Sequence, residues 1–280
     1  MFSYRHGYHA GNHADVLKHL CQMLLLNKLA EKDKAFVYID THSGAGLYDL
    51  TSAQAQKTGE YKDGIDRLLD ANCQDSNLRS YIKLVDEYRR DNRYPGSPEL
   101  ARRLCRSQDS LQLMEWHNNE VQNLRANFKG VRNAHTHHRN GFEGLVAMSP
   151  PKPARGLVLI DPSYELEADY QELVSAVKES YKRWKTGIFA IWYPLLAKSR
   201  DRSEKMTKAL AAIQGADVLD IQLKLHPQEQ DVGMYGSGML VINPPWQFDT
   251  QLEALMPELL NALKDWPGAS YQLNWLTRSE

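Results

Sequence analysis

The chain alternates between short continuous apolar runs and longer segments whose apolar residues recur every three or four positions. The first long segment, residues 13–30, carries Val16, Leu17, Leu20, Met23, Leu24 and Leu29 on a helical period. Asn12 is placed to cap its first turn, and Gly11 frees the turn before it. Residues 35–40 then run apolar without a break and end in an acid, the pattern of a strand buried on both faces. The same strand-then-acid form returns at 110–115. A weaker strand is predicted at 134–137, a fully apolar one at 157–160, and further strands at 187–192, 218–225, 238–242 and 271–276. Helical periods fall between them, over 120–128, 169–184 and 203–213. Ser97 and Pro98, as cap and first residue, open another that runs through Cys105. Strand–helix alternation with acids or Asn at several strand ends predicts an open, doubly wound α/β sheet. In such a sheet ligands bind beyond the carboxyl ends of the strands.

Residues 50–93 break this rhythm. Helix-like stretches at 61–69 and 78–90 are joined by polar segments with no strand pattern. They are expected to form a helical insertion, leaving 1–49 and 94–280 as the main domain. Hydrophobic residues make up 42% and charged residues 25% of the 280, an ordinary globular composition that favours a monomer. The formal net charge is −1, so no global basic field draws nucleic acid, and any such contact must come from a local patch. Cys21, Cys73 and Cys105 are odd in number and widely spaced, which argues for reduced thiols rather than a disulfide or zinc framework. No apolar run reaches membrane-spanning length, and the N-terminal residues lack the apolar core of a secretion signal. A cytoplasmic protein without a membrane partner is the expectation.

Candidate chemistry collects at the predicted strand ends. Asp40 is followed by Gly44 and Gly46, where the backbone can approach a ligand and offer amides to the polar groups of an adenosyl cofactor. Glu115 supplies a carboxylate able to take both hydroxyls of a ribose. Asn140-Gly141 offers a short amide to an adenine edge. After the run 157–160 comes Asp161-Pro162-Ser163-Tyr164. The exocyclic amine of adenine is a poor nucleophile, because its lone pair is delocalised into the ring. A fixed acid can accept from one amine N–H, the Pro162 carbonyl can take the second, and the Tyr164 ring can stack on the base. Asn243-Pro244-Pro245-Trp246 repeats the motif with a second proline, but falls two or three strands too late; Asp161 is the favoured acceptor and Asn243 a rigid turn. The stretch 4–19 crowds aromatic, basic and amide groups ahead of a helix start, which suits an anionic group there and a base or phosphate nearby. No cysteine or carboxylate completes a tight ligand set around His6, His9, His13 and His19, or around His135, His137 and His138, so no metal is expected. Arg5, Lys18, Arg102, Arg103, Arg106, Lys182, Arg183 and Lys185 are candidates for nucleic-acid phosphates, against the plainer reading of solvated helix faces.

Several of these motifs occur together: Tyr4-Arg5-His6, His9-Ala10-Gly11-Asn12-His13-Ala14-Asp15-Val16 and Lys18-His19; Asp40-Thr41-His42-Ser43-Gly44-Ala45-Gly46; Tyr94-Pro95-Gly96-Ser97-Pro98; Asp161-Pro162-Ser163-Tyr164; and Val241-Ile242-Asn243-Pro244-Pro245-Trp246. In this order they resemble the bacterial 23S ribosomal RNA adenine-N6 methyltransferase J family. The resemblance implies a Rossmann-like class I methyltransferase with a small helical insertion and S-adenosylmethionine as donor. It implies one adenine of 23S rRNA as target, in protein-free RNA or an early precursor. Carried over by position, His19, His42, Ser97, Glu115, Asn140, Gly141 and Asp161 would line the cofactor, with Lys18 beside them in the catalytic group; Tyr4 and His6 would contact RNA. Two positions depart from the family pattern. Asn140 stands where Asp is usual, and an amide can still bond to an adenine edge. Ser163 stands where a second proline is usual, which loosens the loop and bears on rate more than on reaction type. Two rivals stay open: the same chemistry on DNA, since the family pattern is also linked to use of external DNA, and a non-catalytic nucleic-acid binder on the cofactor fold.

Overall fold

In the computed structural model, which describes residues 5–279, the apolar runs assemble into an eight-stranded mixed sheet. The chain enters through a 3-10 turn at His6–Tyr8 and the long helix α1 (His13–Ala30), capped by the Asn12 side chain accepting from the Asp15 amide at 2.9 Å. Strand β1 (Val37–Asp40) follows. The short strand β2 (Leu47–Asp49) then leads out into helices α2 (Ala53–Thr58), α3 (Ile65–Asp70) and α4 (Ser76–Arg89), and β3 (Arg93–Pro95) returns antiparallel to β2. Regular alternation follows: α5 (Ser97–Leu104), β4 (Ser110–Glu115), α6 (Asn118–Asn127), β5 (Ala134–His138), α7 (Gly141–Met148), β6 (Gly156–Ile160) and α8 (Glu167–Arg183). The last part runs β7 (Ile188–Leu196), α9 (Ser203–Ala211), β8 (Val218–Lys224), β9 (Met234–Ile242), α10 (Phe248–Leu263) and β10 (Ser270–Thr277). No helix among the described residues is long and apolar enough to cross a membrane.

The sheet order is β10-β8-β9-β7-β6-β1-β4-β5. From β7 to β5 every pairing is parallel; β9 runs antiparallel to both β7 and β8, and β10 antiparallel to β8. This is the Rossmann-like arrangement of class I methyltransferases. Successive side chains of a strand point to opposite faces, so each continuous apolar run feeds two cores. Tyr38, Leu157, Leu159 and Leu113 pack with α1, α5 and α10 on one face. Val37, Ile39, Val158 and Ile160 pack with α7 and α8 on the other.

Sequence and structure differ locally. The helix expected over 61–69 is broken into a 3-10 turn at Glu60–Lys62 and α3, with Gly64 between. A Cβ at Gly64 would lie 2.2 Å from the Gly11 carbonyl oxygen, which also accepts from the Ile65 amide at 2.8 Å. The excursion is thereby tied to the turn before α1. Ser97 is not the cap of α5; Gly96 holds that position, and the Ser97 hydroxyl donates to Asp40 instead. Helices α7 and α10 and the β2–β3 ladder had no counterpart among the expected elements.

Candidate active site

At the carboxyl end of the parallel strands lies a cavity of roughly 330 Å³, within the size range of small-ligand sites. Its wall brings together His19, His42, Gly44, Ser97, Glu115, Asn140, Gly141 and Asp161, from positions spread across the first 161 residues. A second cavity of roughly 320 Å³ adjoins it, walled on its apolar side by Tyr164, Trp192, Pro194, Leu196 and Met234. The two share His6, Lys18, Asp161, Pro162 and Ser163, so they meet across the loop that ends β6.

The meeting point is an ion-pair chain. Lys18, on the first turns of α1 and only 4% exposed, donates to Asp161 Oδ2 at 2.5 Å and bridges Asp15 Oδ1 at 2.8 Å. Asp15 is 1% exposed; its Oδ2 accepts from the Gly11 amide and from His6 Nε2, each at 2.9 Å. Burial alone would lower the Lys18 pKa, but the carboxylates of Asp15 and Asp161 outweigh it and raise it. Burial likewise works to raise Asp15, and the neighbouring His6, Lys18 and His19 overcome it, holding the carboxyl well below the ordinary range. Lys18 is thus a fixed cation and Asp15 a fixed anion. No donor among the described residues reaches Asp161 Oδ1.

The other wall suits an adenosyl group. Behind the lining residue Ser97, the fully buried Asp40 at the end of β1 accepts from Ser97 Oγ at 2.7 Å and from the Tyr38 hydroxyl at 2.8 Å; burial pushes its pKa up to about 6. His19 is buried and neutral, its pKa lowered by burial to about 3. Its Nδ1 bonds the Tyr94 hydroxyl at 2.8 Å, while Nε2 has no hydrogen-bond partner among the described residues, the Asp15 Oδ1 lying 3.8 Å away. A buried ring nitrogen left open on the cavity wall is a mark of a polar ligand group. Glu115 Oε2 accepts from the Gly44 amide at 2.8 Å and Oε1 from the His117 amide at 2.6 Å, which fixes the carboxylate at the cavity edge with acceptor capacity to spare for hydroxyls. Gly44 holds φ +57°, and a Cβ there would lie 2.1 Å from the Tyr48 hydroxyl, so the loop needs glycine. Asn140 caps α7, its Oδ1 accepting from the Phe142 and Glu143 amides at 2.8 and 3.2 Å. Only its amide nitrogen is left for an adenine edge, a narrower role than the sequence suggested. His42 lines the cavity with its pKa lowered by burial to about 4. This donor set fits the charged, hydroxyl-bearing and aromatic parts of S-adenosylmethionine.

Several expectations need correction. Tyr164 is 4% exposed and has φ +53°; its hydroxyl donates to the Trp192 carbonyl at 2.5 Å and its ring lies 4.5 Å from that of Tyr170. A buried tyrosine must satisfy its hydroxyl, and doing so turns the ring into the core instead of leaving a free face for a base. Gly46 lies off the cavity and acts within the loop, its carbonyl accepting from the Gly96 amide at 3.0 Å. Asn243 is at the amino end of the parallel strands, opposite the cavity, because β9 runs antiparallel, and its amide donates to the Lys185 and Gly187 carbonyls, each at 2.8 Å. Among the basic candidates Arg102, Arg103, Arg106, Lys182 and Arg183 are engaged with acids of their own neighbourhood. Tyr4 lies outside the described residues. No group of three or more metal-ligating side chains occurs among the described residues. Sequence reasoning gave no role of their own to Asp15, Trp192, Arg200 and Glu60. Arg200 lines the second cavity without an ion-pair partner among the described residues. Glu60 reaches the same cavity from the helical excursion and accepts from His9 Nδ1 at 2.9 Å and Asn12 Nδ2 at 3.0 Å.

Known proteins resemble this chain over nearly its whole length. Residues 33–277 match the family described as ribosomal RNA large subunit methyltransferase D, RlmJ. The chain is 44% identical over 281 residues to ribosomal RNA large subunit methyltransferase J of Haemophilus influenzae, covering 99% of each chain. It is 46% identical over 266 residues to the protein of the same name from Escherichia coli, covering 94% of each. A crystal structure of a Legionella pneumophila protein, 35% identical, superposes over 95% of this chain and 98% of that one with a TM-score of 0.86. Near-complete coverage at this identity, on a fold with a nucleoside-sized cavity at the switch point of its sheet, places the chain in the RlmJ family of large-subunit ribosomal RNA methyltransferases.

Proposed function

We propose that this methyltransferase uses S-adenosylmethionine to methylate N6 of one adenine in 23S rRNA, as a monomer in the cytoplasm. The observation that carries this reading is the meeting of two cavities over Asp161, with one carboxylate oxygen held by Lys18 and the other open. When bound in the first cavity, S-adenosylmethionine supplies a sulfonium-activated methyl group and is left as a neutral thioether. Asp161 Oδ1 accepts from an N6–H of the adenine in the second cavity, and the Pro162 carbonyl takes the other. Both bonds localise the nitrogen lone pair and aim it. Asp161 also receives the proton that the amine must lose once its N–C bond has formed, and passes it to water. The base can reach this pocket only when it is turned out of its stack. Trp192, Pro194, Leu196 and Met234 form the apolar side of its seat. Arg200 is placed for a phosphate beside the extruded nucleotide.

The test is transfer of labelled methyl to protein-free, unmodified 23S rRNA and to matched DNA, followed by nucleoside analysis. N6-methyladenosine in RNA, lost by about 10²-fold or more in Asp161→Ala, is expected. Product on DNA alone would select the DNA reading. No product on either, with adenosylhomocysteine still bound, would sink the catalytic assignment.

A further inference from the structure

We infer that Asp15 is a positioning residue for methyl transfer: it holds the Lys18 ammonium from behind, so that Lys18 occupies one oxygen of Asp161 and leaves the other for the target amine. The inference rests on the proposed reaction. Three arrangements support it. Asp15 and Lys18 are three residues apart on α1, so their side chains share one face, and Nζ lies 2.8 Å from Asp15 Oδ1 and 2.5 Å from Asp161 Oδ2. The second Asp15 oxygen is itself fixed, by the Gly11 amide and His6 Nε2, so the carboxylate cannot swing with the lysine. Asp15 and Lys18 are buried and the Asp161 side chain is only 16% exposed, so solvent and salt screen these contacts weakly. Holding the ammonium between two acids fixes it against one oxygen of Asp161 and leaves the other facing the amine.

A purely structural role is the alternative, since Asp15 also ties the turn at Gly11 to α1. The two roles differ in what pH does to turnover. Around Lys18 the charged and titratable groups are Asp15 and His19 on α1, His6 before it, Asp161 after β6, Asp40 at the end of β1 and His42 in the following loop. With Asp15 present, two carboxylates oppose the effect of burial and Lys18 stays charged above the ordinary lysine value of 10.5. With Asp15→Asn, burial faces one carboxylate alone, and the ammonium loses its proton at lower pH.

The experiment compares wild type and Asp15→Asn for adenosylhomocysteine affinity, RNA KM, kcat and the pH profile of kcat. The expected result is binding and KM within a few-fold of wild type, kcat down by about 10²-fold, and an alkaline limb that lies at lower pH in the variant's profile than in the wild type's. Wild-type kcat and profile in the folded variant would overturn the inference. So would a fall in kcat that tracks only the loss of folded protein, with the profile unmoved. Should the variant not fold, the ammonium resonance of Lys18 in wild-type protein labelled with ¹⁵N-lysine serves instead. It is expected to stay charged and protected from exchange beyond pH 10.5, and titration at the ordinary lysine value would overturn the inference. That reading needs no turnover, so it stands apart from any failure of the proposed reaction, which would appear first as an inactive wild type.

Discussion

Ser163 sits between Pro162, which lines both cavities, and Tyr164, whose ring is locked into the second core. No backbone acceptor among the described residues takes the Ser163 N–H, so a proline there removes no hydrogen bond. Ser163→Pro is expected to stabilise the fold by about 0.4–1 kcal/mol, through the unfolded state, and to raise kcat by up to several-fold. Chemical denaturation with single-turnover kinetics would check both; a drop in both would mean that the loop needs the freedom of serine. The acids and glycines of the site were legible in the sequence because strand ends and tight loops carry local signatures. Asp161, Glu115 and Gly44 needed nothing from outside their own segments to be noticed. Asp15 was read only as part of the N-terminal motif and given no role of its own, since its importance comes from a partner's partner far along the chain. Tyr164 was misread for a related reason: an aromatic after a strand says nothing of which side its ring will fall on until Tyr170 and Trp192 are in place.

The direction of one strand decides between two look-alike motifs. Both follow apolar strands, yet β6 runs parallel to β1 and β9 antiparallel to β7, so Asp161 lies at the carboxyl end of the parallel strands and Asn243 at their amino end. Periodicity locates a strand and cannot orient it, which is why the choice at the sequence level rested on motif order alone. Asn243→Ala should therefore leave methyl transfer at the wild-type rate. It should lower stability by roughly 1–3 kcal/mol, because two backbone carbonyls lose their donor and a residue at φ +55° loses a side chain suited to it. A large drop in kcat without loss of stability would revive Asn243 as a site residue. The helices were legible where their apolar stripe was regular, as in α1, whose limits were predicted at 13–30 and observed at His13–Ala30. Helix α7 was missed because Gly141 and Gly144 dilute its pattern, and α10, with Pro257 inside it, lies in a stretch left unassigned although Phe248, Leu252, Leu255 and Leu259 keep a helical period. The β2–β3 ladder, three residues a side, is too short to leave any pattern.

Across the whole molecule, buried histidines link stability to pH. Burial holds His19 near 3 and His42 near 4, and burial with the neighbouring His226 holds His13 near 4, against the ordinary 6.5. The unfolded chain takes up these protons first, so their contribution is complete above pH 6.5 and is lost as pH falls from 6.5 toward 4. Asp40, raised by burial to about 6, works in the opposite sense and offsets part of the loss below that pH. His9, raised by its bond to Glu60, also opposes it. Urea unfolding across this range should show a net loss on the order of 5 kcal/mol; a flat profile would show that these rings are not held neutral. Long-range charge enters through Arg200: Arg200→Ala should raise RNA KM at constant kcat and reduce the salt slope of RNA binding by about 1, as loss of one phosphate contact requires. An unchanged slope would remove Arg200 from the RNA path. The pairing of Lys18 with Asp161 also has a consequence for the order of synthesis. The partners are separated by 143 residues, so at about 5–20 residues per second the ammonium is made on the order of 10 s before the carboxylate it must meet. A chain still attached to the ribosome that is making it therefore carries the N-terminal block without a site, and cannot act on that ribosome's RNA until the middle of its own sequence has emerged.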